Sequence, residues 1–406
     1  MKRGVIINFL LSFIFLFSIF FPLTAAADIN HYKNMLIGER PAGMGGAYNA
    51  VSDTPEGAFY NPAGMAYAVG QSLSVSVNAF HTAWTRYEGV LGGGDWTRSS
   101  ASLAPNFFGM IQPWGKGKIA FSYAVPDNIE EDQNQVYHNF SNLSSLTINI
   151  SNIDKTYKFG PSYAQKINDS LSVGATLYVH YRQIKFIANQ YYQTAAHQYE
   201  WSNVYARQTE YGIEPKLGIM WSPEKFSFGL TVSKNTIIDS EGRYQETFHT
   251  DKSGTITSVP NAYTFDDKRK LPLSLSLGGA WFVSEALLVS CDVDYYSKVS
   301  SENRESVVNF ALGTEYYLSE KYALRGGFYT NRANTPEIES GDTGKLDHID
   351  LYGVTASISR FTRASAMTLG INYAYGEGDS QPVSGTDIYD ATMNTMTIFL
   401  SGSFSY

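Results

Sequence analysis

The sequence predicts an all-β membrane protein: a 14-stranded antiparallel transmembrane β-barrel with an N-terminal hatch, or plug, in its lumen. Three observations predict it. Strand-length runs alternate apolar with small or polar residues. The connections between runs are short and long by turns. A compact glycine-rich stretch, Gly38 to Met65, precedes the first run and resembles nothing after it.

The chain opens with Lys2 and Arg3, continues through an apolar block from Val5 to Leu23 and reaches Ala25-Ala26-Ala27. A basic end, an apolar core and a small-residue site together predict a secretory signal peptide, residues 1–27, cleaved after Ala27. Residues 28–70 are then expected to form the hatch and 71–406 the barrel. Removing Lys2 and Arg3 lowers the 30 basic residues to 28 against 38 acidic ones, a formal charge of −10. That balance argues against nucleic-acid binding, which wants a basic face. The single cysteine, Cys291, excludes an internal disulfide framework. No later apolar run is long enough for a spanning helix, but strands show lipid only every second residue and hide in such a composition.

The alternation is clearest at three places. Leu73, Val75, Val77 and Ala79 alternate with serines and Asn78. Leu273, Leu275, Leu277 and Trp281 alternate with Ser274, Ser276, Gly278 and Ala280, and Met396, Ile398, Leu400, Phe404 and Tyr406 with Thr397, Ser401, Ser403 and Ser405. Soluble sandwiches alternate too, so the connections decide the class. Fourteen runs are predicted: 71–82, 101–113, 117–126, 154–167, 170–185, 207–221, 225–237, 271–283, 286–299, 304–318, 321–331, 347–361, 364–377 and 393–406. Tight turns lie at Trp114-Gly115-Lys116, Asn168-Asp169, Ser222-Pro223-Glu224, Ser284-Glu285, Ser319-Glu320 and Thr362-Arg363. Between them fall long polar loops at 127–153, 186–206, 238–270, 332–346 and 378–392, with Ser300 to Asn303 the exception. Short turns on one rim, long loops on the other and an even strand number mark an outer-membrane barrel. The terminal Tyr406, with Phe404 before it, resembles the signal that barrel assembly machinery reads. Aromatics near the strand ends, Tyr87, Trp114, Tyr178, Trp221, Trp281, Tyr295, Tyr316, Phe328 and Tyr373, are expected in interfacial girdles.

Several fragments stand in an order that resembles the FadL-type family of outer-membrane transporters for long-chain fatty acids and other hydrophobic compounds. They are Ala42-Gly43-Met44-Gly45-Gly46-Ala47, Ser52-Asp53-Thr54 and Asn61-Pro62-Ala63-Gly64-Met65 in the hatch. Then come Ala104-Pro105-Asn106-Phe107, Gln112-Pro113, Ala124-Val125-Pro126, Pro161-Ser162-Tyr163-Ala164, Leu171-Ser172-Val173-Gly174, Leu271-Pro272 and Leu324-Arg325-Gly326-Gly327-Phe328. The resemblance implies passive uptake of a hydrophobic compound: capture by extracellular loops, a lumenal pocket, and hatch-controlled release through a gap at a kinked third strand. This chain has no glycine between Ile119 and Val125, so no kink is legible there, although Pro126 cannot donate a ladder hydrogen bond.

An apolar ligand needs an apolar landing surface and a drier pocket. The segment from Phe186 to Trp201 offers Phe186, Ile187, Tyr191, Tyr192 and Trp201. A carboxylate would need a cation; Arg182, Lys185 and Arg325 are the candidates, with Arg325 also suited to a salt-bridge network among Asp292, Asp294 and Glu315. In the hatch, Gly43, Gly45, Gly46 and Gly64 allow close or left-handed backbone, Asn61-Pro62-Ala63 predicts a turn against the wall, and Asp53 and Glu56 are expected to pair with wall cations. None of the seven histidines lies in a metal-ligand or nucleophile motif, so neither enzyme, metal nor cofactor is expected. The expected partners are the hydrophobic ligand, outer-membrane lipids and the barrel assembly machinery, with the mature protein a monomer. A porin for polar solutes and a secretion or assembly accessory barrel are the competing readings.

Overall fold

The computed structural model describes residues 30–138, 143–194, 198–251, 257–383 and 385–405. The predicted signal peptide, His197 and Tyr406 lie outside the described residues. The barrel strands are β1 Ser72–Leu91, β2 Gly94–Trp114, β3 Gly117–Tyr137, β4 Leu143–Lys166, β5 Leu171–Thr194, β6 Tyr199–Trp221 and β7 Phe226–Thr250. After a short β8, Thr257–Phe265, follow β9 Lys270–Phe282, β10 Leu287–Tyr296, β11 Val307–Ser319, β12 Tyr322–Asn331, β13 His348–Phe361, β14 Ser365–Ser380 and β15 Tyr389–Ser405.

Barrel strands pair antiparallel with their neighbours, and β1 pairs with β15 to close the ring. The strand β8 pairs with the upper half of β7 while β7 continues its lower half onto β9, so β8 is a side hairpin and the closed wall has 14 strands. All fourteen predicted runs are strands. Three of the predicted loops are not loops, however: 127–153, 186–206 and 238–270 are largely the upward continuations of β3 to β7, and β8.

The physical reason lies in the alternation. Near the tight turns, β4 turns Phe159 and Tyr163 outward and Ser162 and Ala164 inward. Higher up, the same pleat turns Ile150, Ile148 and Leu146 inward and Ser151, Asn149 and Thr147 outward. The apolar residues change face because the outside solvent changes from lipid to water. The level of the change is marked by Tyr123, Tyr157, Tyr181 and Tyr211 on β3 to β6, with ring centroids 6.1, 5.9 and 5.2 Å apart along the row. A second aromatic level, Trp114 with Tyr163, Trp221 with Phe228 and Phe226 with Trp281, lies at the turns. From Leu171 to Tyr181, the eleven residues of β5 cover ~33 Å of strand, roughly 25 Å of height at a tilt of about 40°. That is one hydrocarbon core. Among the described residues no helix is long and apolar enough to cross a membrane; the strands do it.

Above the tyrosine row the extended strands close over an apolar cluster that includes Tyr87, Leu146, Ile148, Ile150, Phe186, Tyr192, Tyr244, Ile349 and Leu351. Below it, the lumen is filled by residues 30–71, which form α1, Glu39–Gly43, and two 3-10 turns, Pro55–Ala58 and Pro62–Tyr67.

Candidate functional site

The N-terminal segment meets the wall at inward-facing glycines, because only a missing side chain lets two backbones come that close. A Cβ on Gly278 would lie 2.6 Å from Asp292 Oδ1 and 2.8 Å from the Ala50 nitrogen, and one on Gly313 would lie 2.6 Å from the Met44 carbonyl oxygen. Gly327 packs in the same way on Gly45, Gly229 on Asn49, and Gly174 and Gly218 on the Asn61-Pro62-Ala63 turn. Gly45 and Gly46 have φ of 65° and 83°, the left-handed region. Gly43 ends α1 against Ser357 and Arg325, and Gly64 packs on Ser52. Asn61 caps the 3-10 turn by accepting from Ala63 N at 3.1 Å and donates to the carbonyls of Asn49 and Ile219 at 2.9 and 3.1 Å.

Polar latches complete the seating. Asp292 Oδ2 on β10 accepts from the Tyr48 and Asn49 amides, each at 2.8 Å. Glu315 on β11 takes Arg40 of the segment at 2.6 Å and Arg325 of β12 at 2.7 Å. Arg325 also donates to Ser359 at 2.5 Å, so this guanidinium is committed to the wall and the segment. Two expectations for the hatch acids are corrected. Asp53 pairs with Arg40 of its own segment at 2.6 Å rather than with a wall cation. Glu56 sits among hydroxyls, accepting from Ser74 and Thr54 at 2.5 Å each. Burial pushes the Glu56 carboxyl above the usual carboxylate range, and nearby Glu39 adds to it while the hydroxyls draw it back. Burial tends to lower Arg40, but Asp53 and Glu315 outweigh it and hold the guanidinium well above its usual value.

Two chambers lie above and beside the segment. The upper, about 750 Å³, is bordered by Ile184, Ala206, Tyr244, Tyr263, Phe265 and Leu346 among others. The lower, about 220 Å³, is bordered by Met35, Leu36, Phe59 and Tyr60 of the segment and by Pro126, Asp127, Lys158 and Lys216 of the wall. Tyr32, Arg182, Arg269, Leu271 and Pro272 border both and so form the partition. The lower chamber is more charged than an apolar pocket would be, yet its cations are mostly used. Lys33 pairs with Asp294, Lys158 with Glu214 at 2.5 Å, Arg182 with Asp154 and Arg269 with Glu210 at 2.8 Å. Lys216 is different. Among the described residues it has no acid within ion-pair distance; its ammonium donates to the Phe59 carbonyl and lies 4.8 Å from the Phe59 ring centre.

The lower chamber reaches a break in the wall. The β2–β3 ladder runs from Trp114↔Gly117 to Phe107↔Ala124 and resumes only at Ser100↔Glu131. Over that interval β2 stays paired to β1 and β3 to β4, with a one-residue bulge in β3 between Ala124 and Asp127. Pro105 and Pro126, which have no amide to donate, stand on the two sides. The opening is bridged by side chains: Asn128 Nδ2 donates to Ser102 Oγ at 2.9 Å, and above it Arg98 grips Glu131 with two bonds of 2.8 Å. The segment touches both edges, through Asn106, which donates to the Leu36 carbonyl at 2.8 Å, and through Asn34, which donates to Asp127 at 2.9 Å. The third strand is thus broken from its neighbour without the glycine that sequence reading looked for.

The candidate ligand residues separate by parity. Arg182, Phe186 and Tyr192 on β5 face inward, Arg182 held by Asp154 and the two aromatics inside the upper apolar cluster. Lys185, Ile187 and Tyr191 fall on the outward face of β5, as does Trp201 on β6, stacked 4.9 Å from the His249 ring. The predicted landing loop is corrected accordingly: it is two paired strands, whose register puts Tyr191, Tyr199 and Trp201 outside and Phe186 and Tyr192 inside. Lys216 and the upper-chamber wall of β8 are not legible in the sequence, because a cation beside Glu214 reads as an ordinary ion pair and 238–270 reads as a polar loop.

No family model and no curated protein matches the chain. Solved structures do. The chain is similar to a Pseudomonas aeruginosa FadL homologue (TM-score 0.66, 13% identity, covering 92% of this chain and 99% of that one). It is similar to the P. putida toluene transporter TodX (TM-score 0.70, 12% identity, 93% and 99% covered) and to the Ralstonia pickettii toluene transporter TbuX (TM-score 0.62, 14% identity, 93% and 99% covered). With its closed 14-stranded wall, the chain has the FadL-type outer-membrane transporter fold.

Proposed function

We propose that this protein is an outer-membrane channel for passive uptake of hydrophobic compounds, with residues 28–70 as its hatch. The observation that carries this reading is the coincidence of the lower chamber with the β2–β3 opening: Pro126 and Asp127 border both. A cargo entering the upper chamber from outside would pass the Tyr32–Arg269 partition and leave sideways between Pro105 and Pro126 into the membrane. That route avoids the lower lumen, where glycine contacts and Asp292 and Glu315 seat the hatch. The fold neighbours are named as toluene transporters and a FadL homologue, which favours transport over catalysis.

Among hydrophobic cargos, long-chain fatty acids are favoured: their carboxylate would sit in the lower chamber while the chain extends beyond its volume of about 220 Å³. Lys216 would meet a carboxylate beside the Phe59 ring, while Met35 and Leu36 border the path to the opening. Export through the periplasm, assembly by the barrel machinery and a monomeric state belong to the same proposal.

The test is a cross-link across the opening. With Cys291→Ser in the background, Ser102→Cys and Asn128→Cys should form a disulfide that cuts uptake of radiolabelled oleate at least ~10-fold, restored by reductant. Unchanged uptake with the bridge formed would rule out the lateral route. Lys216→Met should lower oleate uptake and spare toluene; equal loss of both would remove the carboxylate role.

A further inference from the structure

The outward face of the wall carries a basic row that the transport reading does not use. Lys185 on β5 lies directly opposite Arg207 on β6, and Arg207 directly opposite Arg243 on β7. Like charges in directly opposed positions repel and destabilise a sheet unless something neutralises them. Among the described residues none of the three has an ion pair or hydrogen bond, whereas Lys155 nearby is paired with Glu130 at 3.1 Å. Asp239 and Glu241 lie lower on the same face of β7, Glu241 the nearer to Arg243, and among the described residues neither pairs with the row. Arg207 also borders the upper chamber, whose wall here is one strand thick, but its exposure and its place between the inward positions 206 and 208 put it on the outer side.

The height of the row identifies what would neutralise it. Tyr181 pairs with Tyr211, and Tyr211 with Asp239, so the tyrosine level crosses the same three strands. The basic row lies four residues above that level on each strand, ~13 Å along the strands and about 10 Å in height. Tyrosine belts sit where hydrocarbon gives way to headgroups. The row therefore stands at the headgroup layer of the outer leaflet, facing lipid.

We infer that Lys185, Arg207 and Arg243 form a binding site for the phosphate groups of an outer-leaflet glycolipid of the lipid A type. Guanidinium groups bind phosphate bidentately, and two of them beside an ammonium match a diphosphorylated headgroup spread over adjacent strands. The lipid supplies the charge that the sheet lacks and holds the extended wall upright at its base.

Native mass spectrometry of the purified full barrel with diphosphoryl lipid A tests this. The parent protein should bind the lipid saturably. The K185Q/R207Q/R243Q variant should bind at least ~10-fold more weakly, since each cation near an anionic surface contributes roughly a factor of five. The R207K/R243K variant keeps the charge and should retain most binding, and a K298Q/K345Q control, altered at two cations elsewhere, should match the parent. Equal binding by the triple variant, or of fully dephosphorylated lipid A, would overturn the proposal. So would competition by inorganic pyrophosphate as effective as the lipid, which would mark a free-anion site. Lipid A binding is read on the purified barrel in the absence of oleate, so the outcome is separable from that of the transport reading.

Discussion

The two sides of the barrel span one membrane with very different strands. On the tall side, β3 to β7 have 21, 24, 24, 23 and 25 residues. On the short side, β9 to β13 have 13, 10, 13, 10 and 14. A tilted strand needs only about 9–11 residues to cross, so the short side is little more than its membrane part. The tall side continues 13 residues past Tyr181 on β5, ~30 Å of wall standing above the hydrocarbon. The division of labour follows. The short side anchors the N-terminal segment by charge, through Asp292, Glu315 and Arg325. The tall side carries most of the upper chamber, the opening and the basic row, and holds itself up by the apolar cluster around Phe186. One fold thus uses lipid-facing apolar surface where lipid is outside and lumen-facing apolar surface where water is.

The largest expected effect tests the short-side anchor. Glu315→Ala leaves Arg40 and Arg325 buried without their shared carboxylate, which should cost on the order of 3–5 kcal/mol. Protease cleavage after Lys33 in folded barrels, together with steady conductance in planar bilayers, would report the loosened segment; a barrel still closed would break the comparison. On the tall side, Phe186→Ala removes a buried ring from the upper cluster and should cost about 3 kcal/mol. Its readout is proteolysis within 186–206, with the membrane part still resisting heat in gel-shift assays. Loss of both parts together would show that the tall wall is not an independent layer.

A smaller, pH-dependent effect concerns Glu56. Burial raises its carboxyl above the ordinary value of 4.5, so the seated segment binds the proton more tightly than the released one. Seating is therefore favoured below that ordinary value and weakens as pH rises through the raised one. Glu56→Gln should flatten this slope, read from segment protection against pH, and an unchanged slope would assign it to another group. The smallest effect is expected at Lys155→Ala. Its pair with Glu130 is on the outer face at the polar headgroup level, with both side chains partly exposed, so the change in unfolding free energy should stay within about 1 kcal/mol.

Much of the barrel was legible because alternation is a local property. Leu273 to Trp281 and Met396 to Phe404 show their faces without any knowledge of neighbours, and the tight turns at Asn168-Asp169 and Ser284-Glu285 place one rim. Asn61-Pro62 announced its turn for the same reason. The segments 127–153 and 186–206 were misread as loops because their alternation is inverted. Ile148 and Ile150 point in while Asn149 and Ser151 point out, and that becomes meaningful only once the membrane level is known. The candidate cations show the same limit: Lys185 and Arg182 are three residues apart, yet parity sends one to the outer face and the other to Asp154.

By itself, then, the sequence determined the strand number, the turn rim and the glycine-rich segment that precedes the wall, since period-two patterns and turn residues act over a few positions. Only the tertiary structure decided where lipid ends on each strand, which glycines meet the segment, that Arg325 belongs to Glu315 while Lys216 has no acid partner among the described residues, and that β2 and β3 part between Phe107 and Ser100. Those depend on register across strands far apart in the chain, and a one-residue shift in register reverses every face.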